Sequence, residues 1–310
     1  MSSIIEVTNL TKKFKEVTAV TDLSFTVHKG EVHGFLGQNG AGKSTTIRML
    51  LTLIAPTSGV INVFGKNIET HRKEILQKVG AIIESPDLYQ YLTALENLQM
   101  MAKLSGVKAS ATQLLQQLET VGIRDRAGSK VKTFSQGMKQ RLGIACALVH
   151  NPELIVLDEP TNGLDPQGIA DIRNLILQLS GNHGRTVFIS SHLLSEMELI
   201  ADAMLIIDKG KKIAEGKVSN LLDPANTILH IEVTNMAAAR KVLQLSAWQK
   251  KVQPSNDTLQ LRLHRNEIPA LNKYLVGQGV DVISLTARHS LEDYFLSLTT
   301  ANQHVAAYKD

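Results

Sequence analysis

The residues best suited to chemistry lie in one glycine-rich segment, residues 37–45. The segment matches the pattern G-x-x-x-x-G-K-[ST] and lies between a predicted strand, Val32–Leu36, and a predicted helix over residues 44–53. Glycines let the backbone N–H groups of such a loop curve around phosphate oxygens without a clashing Cβ. The pattern predicts that Lys43 reaches the β- and γ-phosphates of a nucleotide and that the Ser44 hydroxyl binds Mg²⁺. A glycine-rich turn that matches by chance is the alternative, which the strand–loop–helix order disfavours.

Two carboxylates form a second chemical signal downstream. Asp158 and Glu159 follow the wholly apolar run Leu154–Leu157, which is typical of a buried strand in a parallel sheet. Ligands bind at the carboxyl edge of such sheets. We therefore expect Asp158 to hold Mg²⁺ and Glu159 to polarise an attacking water. A solvated loop or a helix cap is the alternative for an Asp-Glu pair taken alone.

Three further segments resemble motifs of the ATP-binding-cassette (ABC) family. Residues 134–141 resemble the signature usually written LSGGQ, and residues 161–165 resemble the D-loop. Residues 189–192 resemble the segment that carries the switch histidine at the end of the next strand. All these motifs occur in family order over roughly residues 4–222, so a chance coincidence is negligible. The chain thus resembles the nucleotide-binding subunit of an ABC system.

The resemblance implies a role for each matching residue. Phe14 would stack on adenine, His192 would contact the γ-phosphate, and Asp165 would belong to the D-loop. The residues implied in hydrolysis are Lys43, Glu159 and His192. The loop residues implied in nucleotide binding are Gly37, Asn39, Gly40, Ala41, Gly42, Lys43, Ser44 and Thr45. The signature residues, implied in contacting the ATP of a second subunit, are Ser135, Gln136, Gly137 and Met138.

Some of these residues have simpler interpretations. Phe14 could be a core residue, and His192 could be an ordinary histidine at a strand end. Ser135 opens a predicted helix, where serine is a common N-cap, and this interpretation is compatible with the implied function.

The resemblance also implies partners. The cofactors would be ATP and Mg²⁺, and two ATP molecules would lie between two cassettes in a head-to-tail homodimer or in a dimer with a second cassette chain. ATP-driven dimerisation and hydrolysis to ADP and phosphate would energise efflux through an integral-membrane permease. The apolar runs of this chain fall short of the ~20 residues that cross a bilayer, so the permease would be a separate chain. No signal peptide is predicted, and the expected location is the cytoplasm, peripheral on the inner face of the cell membrane.

The sequence departs from the family pattern at two places. Glu84 stands after the predicted strand 79–83, where the family has a Gln near Mg²⁺ and the attacking water. In the signature, Gln136 and Met138 replace Gly and Gln. The Glu variant resembles subunits that export bacitracin or confer immunity to lantibiotics, which suggests efflux of a peptide antibiotic or another drug. Glu84 could bind metal more strongly than an amide, repel the γ-phosphate, or be a tolerated near-isostere; our hypothesis is that it tunes coupling to the permease.

The alternation of strands and helices predicts an α/β fold, a P-loop ABC cassette over residues 1–222. A helical subdomain is expected over about residues 85–150, and its front resembles the surface that receives the permease. Tyr89, Tyr91 and Leu92 are either its apolar contacts or core residues.

The pattern changes after residue 222, and residues 223–300 predict a small α+β domain of split-βαβ type. Its expected elements include two strands around a turn at 254–257 and a terminal helix at 291–298, followed by a tail over 301–310. A structural role is favoured for this domain, while ligand sensing and support of a dimer remain open.

Composition limits the function classes. The 310 residues carry a formal net charge of only +4, and aromatic residues make up 4%. No nucleic-acid partner is therefore expected. A single Cys excludes an internal disulfide and fits a reducing compartment. Two alternatives remain: an ABC-type ATPase that acts without a permease, and an inactive cassette that serves as a binding module.

Overall fold

The computed structural model describes residues 2–181, 184–221, 227–253 and 259–289. The chain divides into two compact units, Met1–Val218 and Ser219–Asp310. The turn predicted at 254–257, the terminal helix predicted at 291–298 and the tail 301–310 lie outside the described residues.

The first unit contains alternating strands and helices, as an α/β fold requires. Its strands are β1 (Ser3–Phe14), β2 (Val17–His28), β3 (Val32–Leu36), β4 (Ser58–Val63), β5 (Lys66–Asn67), β6 (Val79–Ile82), β7 (Leu154–Leu157), β8 (Thr186–Ser191), β9 (Ala203–Asp208) and β10 (Lys211–Lys217). Its helices are α1 (Lys43–Leu50), α2 (Arg72–Leu76), α3 (Ala94–Leu104), α4 (Ala111–Thr120), α5 (Gln136–Leu148), α6 (Pro166–Gly181) and α7 (Leu194–Ile200), and α8 (Val218–Leu221) follows at its end. The predicted fold class is confirmed.

A six-stranded sheet of order β10-β9-β3-β8-β7-β6 lies at the centre of this unit, within the described residues. Its strands β9, β3, β8, β7 and β6 are parallel, and β10 is antiparallel to β9. Strands β3 and β7 are buried at every position, which explains why their sequences lack polar alternation. The carboxyl ends of the parallel strands meet at one edge, where the segments that follow β3, β6, β7 and β8 converge.

A four-stranded antiparallel sheet of order β2-β1-β4-β5, counted over the described residues, belongs to the same unit. Three aromatic rings join the two sheets: Phe25 of β2 stacks on Phe35 of β3 and on Phe188 of β8, with centroids 6.2 and 5.9 Å apart. Strands β1 and β2 extend well beyond the apolar runs that predicted them, because their ladder continues through polar pairs such as Lys13 and Thr18.

The helices α3, α4 and α5 lie within residues 85–150, the range over which a helical subdomain is expected. Capping boxes define the starts of α3, where Thr93 pairs with Glu96, and of α4, where Ser110 pairs with Gln113. A Cβ at Gly143 of α5 would lie 2.5 Å from the ring of Pro86, so this close packing requires glycine. None of the helices that the structure describes combines the length and apolar character needed to cross a membrane.

The second unit contains the elements β11 (Thr227–Val233), α9 (Met236–Gln244), β12 (Leu259–Leu263), α10 (Ile268–Gly277) and β13 (Val282–His289). Its antiparallel sheet has the order β12-β11-β13 in the described part of the chain. Before the 254–257 turn, Gln249–Lys251 forms a 3-10 turn, and the expected strand is reduced to an isolated antiparallel bridge between Val252 and Leu261. The sequence at 249–251 is polar throughout, so it offers no apolar face that would pair as a strand.

Candidate nucleotide-binding and hydrolysis site

The glycine-rich loop connects β3 to α1 at the carboxyl edge of the central sheet. Gly42 precedes α1 with φ of 105°, and a Cβ there would lie 2.6 Å from the Ala19 carbonyl oxygen. Only glycine meets both conditions. The first N–H groups of α1 have no partner within the helix, and the positive end of the helix dipole lies at the same place. The loop and the helix start therefore form a cradle for an anion such as phosphate.

Lys43 places a positive charge at this cradle. Its side chain is only 5% exposed, and its Nζ donates hydrogen bonds to the carbonyl oxygens of Gly37 at 2.7 Å and Gln38 at 3.3 Å. The same Nζ lies 3.0 Å from Glu159 Oε1, which gives an ion pair. The ammonium group is thus hydrogen-bonded to the loop and at the same time ion-paired with Glu159, one of the two predicted carboxylates.

Asp158 is buried rather than solvated, so the interpretation of this pair as a solvated loop is wrong for Asp158. The residue is 1% exposed, and its Oδ1 accepts a hydrogen bond of 2.6 Å from Ser190 Oγ. Ser190 Oγ in turn accepts a hydrogen bond of 2.9 Å from the Glu159 N–H. Asp158 Oδ2 is buried and has no hydrogen-bond partner among the described residues.

This orphaned oxygen fits a divalent cation. A buried carboxylate oxygen without a donor is costly unless a charge compensates it. The described residues contain no group of three or more His, Cys, Asp or Glu side chains that could hold a metal ion. Mg²⁺ needs no such cage, since it keeps several waters and takes one or two protein ligands plus phosphate oxygens. Two of the described residues fit Mg²⁺: Asp158, which follows β7, and Ser44, which lies in the first turn of α1.

Glu159 and His192 form a second pair at the same edge. Glu159 Oε2 lies 2.7 Å from His192 Nδ1 in hydrogen-bond geometry, so this carboxylate contacts both a histidine and Lys43. The Glu159 backbone adopts a left-handed conformation with φ of 49°, and its N–H is anchored by Ser190. These contacts bring together three residues from three separate segments, and the carboxylate can accept a proton from a water held nearby.

Glu84 follows β6 at the same sheet edge. Its φ is 61°, and its carboxylate pairs with the guanidinium of Arg48 on α1. Both side chains are substantially exposed, at 65% for Glu84 and 41% for Arg48. Arg48 was not predicted from the sequence. This residue lies one helical turn after Ser44, so it shares a face of α1 with Ser44, and that spacing could have indicated it.

The signature and the D-loop share one groove of about 580 Å³. Ser135 is the N-cap of α5 and accepts a hydrogen bond of 3.3 Å from the Met138 N–H, as the N-cap interpretation predicts. Asp165 Oδ1 accepts a hydrogen bond of 3.0 Å from the Gly168 N–H at the start of α6. The residues from these motifs that line the groove are Ser135, Gln136, Gly137, Met138, Gly163, Leu164 and Asp165. None of the loop residues 37–45 lines it.

Phe14 lies at the end of β1 and is 45% exposed. The core interpretation of this residue is therefore wrong. Lys12 Nζ lies 4.9 Å from the ring centroid, so the ring makes a cation–π contact while much of it stays exposed. An exposed aromatic ring of this kind can stack on a planar base.

Known proteins resemble this chain in both sequence and structure. The family described as ABC transporter matches residues 20–162, which contain the glycine-rich loop, the signature and the carboxylate pair. The bacitracin transport ATP-binding protein BcrA of Bacillus licheniformis is 44% identical over 301 residues, or 96% of this chain and 98% of that protein. This chain belongs to the ABC transporter family of ATP-binding subunits. The predicted family is thereby confirmed.

Two other relatives widen the comparison for this ABC subunit. The lantibiotic transport ATP-binding protein SrtF of Streptococcus pyogenes is 42% identical over 212 residues, which are 68% of this chain and 90% of that protein. A solved dimeric structure of MJ0796, a bacterial ABC transporter cassette, superposes with a TM-score of 0.63 at 26% identity. The superposition covers 69% of this chain and 99% of the MJ0796 chain. Membership in this family implies ATPase activity.

Proposed function

We propose that this ABC subunit hydrolyses ATP to energise an exporter whose membrane-spanning permease is a separate chain. The observation that carries the proposal is the position of Glu159, whose two carboxylate oxygens contact Lys43 and His192 beside the buried Asp158. The loop N–H groups and Lys43 bind the phosphates of ATP, and Asp158 and Ser44 would hold Mg²⁺. When bound, Mg²⁺ would neutralise negative charge on the nucleotide phosphates.

Glu159 is the general base in this proposal. Binding of the γ-phosphate to Lys43 releases Glu159 Oε1 from its ion pair, and that oxygen then accepts a proton from the attacking water. His192 keeps the carboxylate oriented through its bond to Oε2 and contacts the γ-phosphate with the rest of its ring. Preorganised charges of this kind stabilise the transition state without reorganising during the reaction.

A second cassette completes each site. The groove shared by the signature and the D-loop contains none of the loop residues, so its free N–H groups at the start of α5 are available to a phosphate held by another subunit. The solved MJ0796 cassette is dimeric, which supports this arrangement. We therefore propose a head-to-tail dimer, either with a second copy or with another cassette chain, that ATP brings together and hydrolysis releases.

The segment after Glu84 supplies the docking surface for the permease in this proposal. Tyr89 is 60% and Tyr91 80% exposed, so the alternative that they are core residues is wrong. The buried Asn97 fixes this segment, because its amide accepts from the Tyr89 N–H at 2.9 Å and donates to the Tyr89 carbonyl at 3.0 Å. Pro86 packs on Gly143 of α5. In this proposal, a displacement of the segment by the permease is therefore transmitted to α5, the helix that starts at the signature.

The proposed cargo is a peptide antibiotic or a related drug, because the relatives named above transport bacitracin and lantibiotics. The proposed location is the inner face of the cell membrane, where the permease would hold the subunit. Purification from membranes under mild detergent tests the proposed location and the permease: a multi-helix membrane protein should copurify. An ATPase that acts without a permease would be recovered without such a partner.

The hydrolysis proposal is tested with Glu159→Gln. The amide keeps the shape of the side chain but cannot accept the proton, so kcat should fall by about 10²–10⁴-fold. ATP binding should persist, and size-exclusion chromatography with ATP should show accumulated dimer. Glu119→Gln is the matched control, because Glu119 is exposed on α4 and pairs only with Arg124 among the contacts described. Turnover of Glu159→Gln at the wild-type rate would show that Glu159 is not the base.

A further inference from the structure

A side-chain bond outside the proposed chemistry joins the segment after Glu159 to the helix after His192. Thr161 Oγ1 donates a hydrogen bond of 2.6 Å to Glu196 Oε2, and the pair is partly buried. Thr161 comes two residues after Glu159, and Glu196 lies in the first turn of α7, which begins two residues after His192. Hydrogen bonds to a carboxylate are among the stronger ones in proteins. The two segments are thus linked beyond the reacting groups.

Thr161 also begins the turn that carries the D-loop. Its carbonyl oxygen accepts a hydrogen bond of 3.2 Å from the Leu164 N–H, and Gly163 within the turn has φ of 73°. The turn leads directly to Asp165, which caps α6 through the Gly168 N–H. The turn is thus held at Thr161 by Glu196, and at Asp165 it leads into α6.

Three hydrogen bonds join residues 159–161 to residues 190–196 side by side. Ser190 holds the Glu159 backbone, His192 holds the Glu159 side chain, and Glu196 holds Thr161. The first two belong to the site itself. The third lies outside proton transfer and phosphate binding in the proposed function, and it joins the D-loop turn to α7, the helix that follows the histidine.

We propose that Glu196 acts through Thr161 as a positioning residue that keeps the D-loop turn in register with His192. When His192 shifts toward a γ-phosphate, α7 carries Glu196 with it, and Thr161 passes the movement to the turn that carries Asp165. Asp165 lines the groove that would face a second cassette, so one site reports its nucleotide state to the other. This inference rests on the proposed function, since it requires a dimer with two ATP sites.

The test compares side chains that keep or remove the bond in the full-length protein. Thr161→Val preserves volume but loses the hydroxyl, and Thr161→Ser keeps it. Glu196→Ala loses the acceptor, and Glu196→Gln keeps one. We expect Thr161→Val and Glu196→Ala each to lower kcat by about 3- to 30-fold, a typical range for residues that couple two sites. KM and the Kd for a fluorescent ATP analogue should stay within about twofold of the wild-type values, since neither residue contacts nucleotide in the proposal.

Two further readouts separate positioning from general stability. The double variant Thr161→Val, Glu196→Ala should be no slower than either single variant, because both remove the same bond. Thr161→Ser and Glu196→Gln should recover most of the lost kcat. Thr120→Val is the control, since the Thr120 hydroxyl bonds only within α4, to the Gln116 carbonyl. If Thr161→Val does not fold, the comparison of Glu196→Ala with Glu196→Gln decides the question.

Two results would overturn the inference: wild-type kcat in both Thr161→Val and Glu196→Ala, or a loss in Thr161→Ser as large as in Thr161→Val. Glu159→Gln, assayed beside them, identifies which proposal has failed. If Glu159→Gln is inactive while Thr161→Val is normal, only the positioning role is wrong. If Glu159→Gln turns over normally, the proposed function itself is wrong.

Discussion

Ser190 offers a direct measure of how much the site depends on buried hydrogen bonds. Its hydroxyl is fully buried, donates to Asp158 Oδ1 at 2.6 Å and accepts from the Glu159 N–H at 2.9 Å. Ser190→Ala removes one oxygen and leaves two groups without that partner, the buried Asp158 carboxylate and the part-buried Glu159 N–H. One of them is a carboxylate whose other oxygen already lacks a partner in the described structure.

The size of the effect follows from these two contacts. A buried group left without its partner costs about 1–3 kcal/mol, and charged groups lie at the upper end. Taking about 2 kcal/mol for the carboxylate and about 1 kcal/mol for the part-buried amide gives a loss of about 3 kcal/mol in the free energy of unfolding. For a unit of this size, each kcal/mol shifts Tm by about 2–4 °C, so Tm should fall by roughly 6–12 °C. A water that entered the vacated space would lessen the loss, because it can restore one of the bonds.

Thermal and urea unfolding of the full chain, in EDTA and without nucleotide, would measure this loss separately from metal binding. The matched control is Ser180→Ala on α6, whose hydroxyl donates, within the described part of the chain, an exposed hydrogen bond of 3.3 Å to the Gly30 carbonyl. Its Tm should stay within about 1–2 °C of the wild-type value, as for most surface substitutions. Adding Asp158→Asn to Ser190→Ala should recover part of the loss, because the neutral amide is less costly to bury. The reasoning is refuted if Ser190→Ala melts as Ser180→Ala does.

Two other predictions address the unusual residues of this chain. Glu84→Gln breaks an exposed ion pair with Arg48, so stability should change by less than about 1 kcal/mol, whereas permease-stimulated ATPase should fall by about 3- to 30-fold. Unchanged stimulation and unchanged drug resistance would contradict the coupling hypothesis, and Arg48→Gln shows whether the pair itself matters. Burial raises the pKa of the Cys146 thiol to about 12, so the thiolate is suppressed and the folded protein should react with iodoacetamide at pH 8 at least about 100-fold more slowly than the protein in urea. Rapid labelling of the folded chain would show that this thiol is accessible.

The parts of the structure that follow from local sequence could be predicted. Strand β7 was predicted with its observed bounds, because a wholly apolar run between polar flanks has few other solutions. The glycine-rich loop ahead of Lys43 is equally predictable from the sequence, since its glycines and its lysine have the fixed spacing of a phosphate-binding loop. Such signals depend on neighbours in the chain and on little else.

The parts that depend on distant residues could not be predicted. The pairs Arg48–Glu84 and Thr161–Glu196 join positions 36 and 35 residues apart, and no sequence period relates them. The polar continuation of β1 and β2 has another cause: a ladder of backbone bonds between two strands needs no apolar alternation, so the apolar pattern does not predict it. Before the 254–257 turn the expected strand is reduced to an isolated bridge at Val252, because the polar stretch 249–251 has no apolar face and folds into a local turn.

The ion pair between Lys43 and Glu159 has a consequence for measured affinities. Because Glu159 Oε1 lies 3.0 Å from the ammonium, the carboxylate is an internal competitor for any phosphate that binds there. Part of the intrinsic binding free energy is consumed in separating the pair, so a variant without the negative charge should bind ADP more tightly, although ADP cannot be hydrolysed. A stable ATP-bound dimer of Glu159→Gln would then have two sources, slower hydrolysis and relieved competition. The ratio of its ADP affinity to that of the wild-type protein gives the second contribution alone.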